Sequence, residues 1–194
     1  MKKLFLAVLV MGGITISNAQ DYKVDNKATK IKWLGEKVTG EHTGFINIKD
    51  GMLKVEGGEI VGGKFTIDMT SITNTDIESE EYNNKLVNHL KSDDFFGVVK
   101  YPNATFVIKS VKAVEEDDAT HHLTGDITIK GTTEEITFPA KVSMNGSQIE
   151  ASSSIVLDRS KFDVRYGSKS FFDGLGDKVI YDDFTLDVNL IAKK

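Results

Sequence analysis

At 194 residues, 40% of them hydrophobic and 27% charged, the chain is long enough for one domain with a substantial core. Its formal net charge of −5 excludes the broad basic face that nucleic acid requires and argues against adsorption to anionic lipid headgroups. With no cysteine, disulfides and thiolate chemistry are excluded as well.

Lys2 and Lys3, the apolar run Leu4 to Ile16 and the small-x-small Ser17-Asn18-Ala19 read as a cleaved export signal spanning 1–19. The run is too short to cross a bilayer, which takes about 20 apolar residues. No cysteine follows it to carry a lipid anchor. Residues 20–194 are then one domain, periplasmic or secreted, without stable membrane insertion.

Beyond the signal, apolar residues alternate with period two, the mark of strands with one buried face. Ile31 and Trp33 share a face, as do Phe65, Ile67 and Met69, then Phe106 and Ile108, then Ile127 and Ile129. Ile136 to Val142, Ile149 to Leu157 and Phe184 to Leu190 continue the pattern. Asp50-Gly51 and Asn145-Gly146 read as two-residue hairpin turns, and Lys130-Gly131 as another turn. The total is about eight strands, mostly antiparallel because the connections are short. One segment differs. Tyr82, Leu86 and Leu90 recur at helical spacing and predict a helix over about 78–91, with Thr75 to Glu78 as a capping box. Ser92 to Phe96 is expected to turn Phe95 and Phe96 inward. An all-β sheet of this size hides its apolar face by closing into a barrel or by stacking two sheets, and alternation alone leaves both open.

Catalytic signatures are sparse. There is no Gly-x-Ser-x-Gly elbow, no His-Glu-x-x-His and no EF-hand spacing, and nothing calls for a cofactor or a metal. His121 and His122, adjacent on a strand, point to opposite faces. The aromatic inventory is the better lead: a barrel lined by such side chains and left partly unfilled is an apolar pocket. Burying a hydrocarbon tail releases about 0.8 kcal/mol per methylene, so about a dozen carbons bind firmly without a charged clamp.

Three motifs carry a resemblance: His-Leu-Lys-Ser-Asp-Asp-Phe-Phe (89–96), Lys-Tyr-Pro-Asn-Ala-Thr-Phe (100–106) and Leu-Thr-Gly-Asp-Ile-Thr-Ile-Lys-Gly (123–131). With them, and with Gly58 to Met69 and Asp158 to Gly167, the chain resembles the YceI-like family of exported bacterial proteins. The resemblance implies a lipocalin-like antiparallel barrel with a helix near one end and a long apolar tunnel. It also implies carriage or storage of a polyisoprenoid or fatty-acid derivative, not turnover. The tunnel wall is expected from Trp33, Phe45, Phe65, Ile67, Met69, Leu86, Leu90, Phe96, Phe106, Phe138 and Phe162. Lys37, His42, Arg159 and Arg165 are candidates for a polar headgroup at its mouth. A homodimer is compatible with the sequence. Two other readings stand beside this one. One is a secreted, stress-related structural or interaction protein with a solid barrel; the other is an enzyme acting on lipid through His42 or His89 and a carboxylate.

Overall fold

A computed structural model describes residues 19–194; the expected export signal lies outside them apart from Ala19. The strands are β1 (Gln20–Val24), β2 (Lys30–Lys37), β3 (Gly40–Glu56), β4 (Glu59–Asp68), β5 (Asn103–Ala113), β6 (His121–Ile129), β7 (Thr132–Met144), β8 (Gln148–Asp158) and β9 (Ile180–Lys193). Eight of them, β2 to β9, close into an antiparallel barrel in the order β3-β2-β9-β8-β7-β6-β5-β4, with β4 returning to β3. The open choice between barrel and sandwich is thereby settled. β1 is a short ninth strand wedged between β3 and β9 at one end. Tyr22 on β1 is almost wholly buried, and its hydroxyl donates to the Gly146 carbonyl at 2.7 Å.

Local chemistry fixes the turns. Lys130 and Gly131 both take positive φ (50° and 81°), the conformation a two-residue hairpin matched to strand twist requires. The β7–β8 turn is placed one residue later than the sequence suggests: Asn145 N–H donates to the Gln148 carbonyl, Gly146 (φ 75°) and Ser147 lie between them, and Asn145 does not take positive φ. Asp50-Gly51 corrects the sequence reading: it lies inside β3 at a register shift, not at a turn. Gly51 is small for packing reasons, since a Cβ there would stand 2.7 Å from Val24 Cγ2 and 2.8 Å from Phe65 Cδ1.

The helix α1 (Glu80–Lys91) begins two residues later than expected, and its N-cap is Ser79 without a side-chain bond. The expected capping box does not form. Asp76 instead turns to β3, where it accepts from the Thr43 N–H at 2.7 Å. The segment 69–79 crosses the barrel end as a strap. Thr73 N–H donates to the Phe45 carbonyl, Thr75 N–H to the Thr43 carbonyl, and Trp33 Nε1–H to the Thr73 carbonyl at 2.9 Å. Asn83 Nδ2 ties α1 to the strap through the Asn74 and Ile77 carbonyls. After α1, a turn over 92–97 buries Phe95 and sets Phe96 against Phe184 at 6.4 Å between ring centres.

Candidate ligand-binding cavity

The inward faces of the strands do not fill the barrel. Two chambers of about 130 Å³ each lie along its axis, and the surface each presents to the cavity is apolar. Ile31, Ile67, Ile127 and Leu186 border both chambers, so the chambers meet at a waist made by four strands. The first chamber is walled by Phe65, Phe106 and Phe138 together with Ile136, Ile155 and Leu157. The second, toward α1, is walled by Trp33, Met69, Leu90, Phe96 and Phe184. Cores of this kind normally pack to crystal-like density. Here Ile136, Val142, Ile155, Leu186 and Val188 point inward from their strands yet are only partly buried, because they face the void.

The expected wall residues divide by position. Trp33, Phe65, Ile67, Met69, Leu90, Phe96, Phe106 and Phe138 stand at the chambers. Phe45 does not: it is 40% exposed, because Ile46 and Ile48 take the inward positions of β3 and leave it on the outer face. Leu86, half-buried on α1, borders neither chamber. Phe162 is fully buried in the 3₁₀ turn after β8, packed as core beyond the chamber walls. The sequence reading missed the waist as such, although Ile31, Ile127 and Leu186 all fall on the period-two faces that mark it.

The polar candidates correct more sharply. Arg159 is buried, and its guanidinium donates to four carbonyls: Tyr181, Val164, Tyr166 and Ile180, at 2.9–3.1 Å. Asp182 Oδ1 stands 3.3 Å from its Nη2, an ionic contact without hydrogen-bond geometry. Burial pushes the guanidinium below its ordinary value, against the pull of Asp182 and Asp158. With its donors consumed by backbone, Arg159 pins the loop after β8 and is not a headgroup ligand. His42 Nδ1 lies 2.8 Å from Asp76 Oδ2 and helps hold the strap. Partial burial pushes the Asp76 carboxyl up, but bonds from Thr43 N–H, His42 and Asn74 outweigh it and hold it below the ordinary carboxylate range. Lys37 ends β2 opposite Gly40 and Ile180, away from both chambers. Arg165 is paired with Asp163, lies 4.9 Å over Phe171, and borders a separate polar recess with Lys130 and Lys178. His89 is packed edge-on against Tyr166, 4.4 Å between ring centres.

Compared with known proteins, residues 22–192 match the family model described as YceI-like domain. The chain belongs to that family. A UPF0312 protein of Pseudomonas putida is 31% identical over 159 residues, spanning 75% of this chain and 74% of the relative. Among solved structures, Burkholderia cenocepacia BcnA superposes with a TM-score of 0.69 at 24% identity, over 88% of this chain and 99% of BcnA. A polyisoprenoid binding domain from Saccharophagus degradans, implicated in plant cell wall breakdown, gives 0.62 at 14% identity, over 89% and 97%. At these identities the structures establish a shared fold, and this YceI-like chain has the lipocalin-like barrel that its sequence motifs led one to expect.

Proposed function

We propose that this YceI-like protein is an exported, non-enzymatic carrier or store of a long-chain apolar ligand, a polyisoprenoid or fatty-acid derivative. The observation that carries the reading is the pair of adjoining apolar chambers inside a closed barrel. An apolar chain gains free energy there by leaving water, with no charged clamp needed. The fold shared with a domain described as polyisoprenoid binding supports the same ligand class. Export rests on the signal-like residues 1–19. Trp33, Phe65, Phe96, Phe106 and Phe138 are the aromatic contacts in this reading, joined by the waist residues.

The test is extraction of protein purified from its own host, with the extract read by mass spectrometry and the intact complex by native mass spectrometry. A bound long-chain lipid, or uptake of one added chain per protein, is expected. Empty protein that takes up neither prenyl nor acyl chains would overturn the proposal.

A further inference from the structure

The barrel's hydrogen-bonded seams are uneven. β7 and β8 share four residue pairs, Lys141↔Ser152 to Met144↔Ile149. Every other seam of the barrel carries at least six. β7 continues back to Thr132 fully paired with β6, and β8 continues to Asp158 fully paired with β9. Between Thr132–Ala140 and Ser153–Asp158, among the described residues, no ladder pair joins the two strands.

Pro139 supplies the cause. The Ala140 carbonyl accepts from the Thr120 N–H, on the β6 side. Backbone groups of successive strand residues point to opposite flanks, so Pro139 presents its backbone to β8. There it has no N–H to give. Its carbonyl is taken by the Ser153 hydroxyl, which donates at 2.6 Å in place of a backbone amide. The ladder stops where the proline falls. At the far end the 3₁₀ turn Arg159–Phe162 packs against β7, and Lys130 Nζ donates to the Asp163 carbonyl at 3.0 Å.

The unpaired stretch lies directly over the first chamber. Ile136 and Phe138 from β7, and Ser153, Ile155 and Leu157 from β8, are chamber wall. On the outer face Val156 is 62% exposed. Glu135 is drawn sideways to Lys109 at 2.9 Å and Asp158 is turned to Ser160, so the charge left on the rim is Glu134, half-buried at the far end of the stretch two residues before Ile136. Both barrel ends are braced far better. The strap and α1 carry the bonds already described, and β1 with Tyr22 braces the opposite end.

We infer that the β7–β8 seam is the portal through which an apolar chain slides sideways into the cavity; this rests on the carrier reading above. Parting the seam beyond Lys141↔Ser152 breaks the Ser153–Pro139 and Lys130–Asp163 bonds and the packing of the 159–162 turn on β7, but no backbone rung. Opening either end breaks several bonds together.

The chain has no cysteine, so introduced thiols are unique. Thr137→Cys with Val156→Cys places thiols where the Lys141↔Ser152 register, if continued, would pair them. A short bis-maleimide bridges them. Phe45→Cys with Thr73→Cys, bridged alike, locks the strap to β3 instead. Stopped-flow uptake and release of a pyrene-labelled hexadecanoic acid is the readout, with thermal melting as the folding control. The seam bridge is expected to slow both rates at least tenfold with little change in Kd, and the strap bridge to leave them unchanged. Pro139→Val, which restores the N–H and lengthens the ladder, is expected to slow exchange without any cross-link, and decides the matter if the bridged protein misfolds. Unchanged rates with the seam locked, or slowing only with the strap locked, overturn the portal while leaving the carrier reading intact. If wild-type protein and every variant fail to take up the probe, both fall.

Discussion

The Phe106 ring lies over Gly125 on the neighbouring strand, so close that a Cβ there would stand 2.7 Å from the ring's Cε2 and Cζ and nearer still to the Val107 carbonyl. The glycine lets the ring lie flat along the cavity wall, 5.4 Å from Phe138 between centres. Gly125→Ala is therefore expected to destabilise the fold by about 1–3 kcal/mol, the usual range for overpacking. Gly62→Ala, where nothing lies within 4 Å, should be close to neutral. Urea unfolding of the two variants checks the contrast.

Ala151 faces the first chamber and is only partly buried. In a solid core, Ala151→Phe would cost about 1–3 kcal/mol. In a hollow one the ring enters empty space. The expected outcome is a melting temperature at or above that of the parent and loss of long-chain binding, measured by calorimetry and probe titration.

How far these features are legible in sequence depends on the scale at which they are fixed. Strand faces and the helix follow from periodicity, and the structure keeps them with small shifts in boundary. Phe45 was misplaced although its parity is readable: Ile46 and Ile48 claim the inner face, so their odd-numbered neighbour must point out. Asp50-Gly51 carries a genuine turn signature, but Phe65 and Val24 pack against that glycine from elements distant in sequence. The chambers themselves are not legible. Void volume depends on how strands tilt and how far each side chain reaches, which no single residue type encodes. Arg159 shows the same limit, since its carbonyl partners come together only when the loop after β8 folds back on β9.

Removing the Arg159 guanidinium leaves four carbonyls without a donor and Asp182 without a counter-charge. Arg159→Met is expected to cost about 3–5 kcal/mol, the range for breaking a buried ionic arrangement from one side. Arg159→Lys should recover only part of that, having three donors in place of a planar fork. Denaturant unfolding gives the stability. A ligand-headgroup preference unchanged in whatever folds would separate this structural role from a binding one.

Acid should loosen the strap. The folded-state value of Asp76 is held below the ordinary 3.8, so its bonds stabilise the fold in full above that range. That contribution is lost as pH falls through the depressed value. Hydrogen exchange over 72–79 is expected to accelerate below about pH 4 by linkage. In Asp76→Asn the strap should exchange faster already at neutral pH and show a weaker acid response.

Trp33 is the chain's one tryptophan and stands in the wall of the second chamber. Titration with long-chain acids brominated at successive carbons therefore reads the cavity from within. Saturable quenching at one chain per protein, varying with bromine position and abolished in a cavity-filling variant, is the expected result. Trp33 emission unaltered at saturating ligand, whatever the bromine position, would contradict a hollow barrel built to hold a hydrocarbon chain.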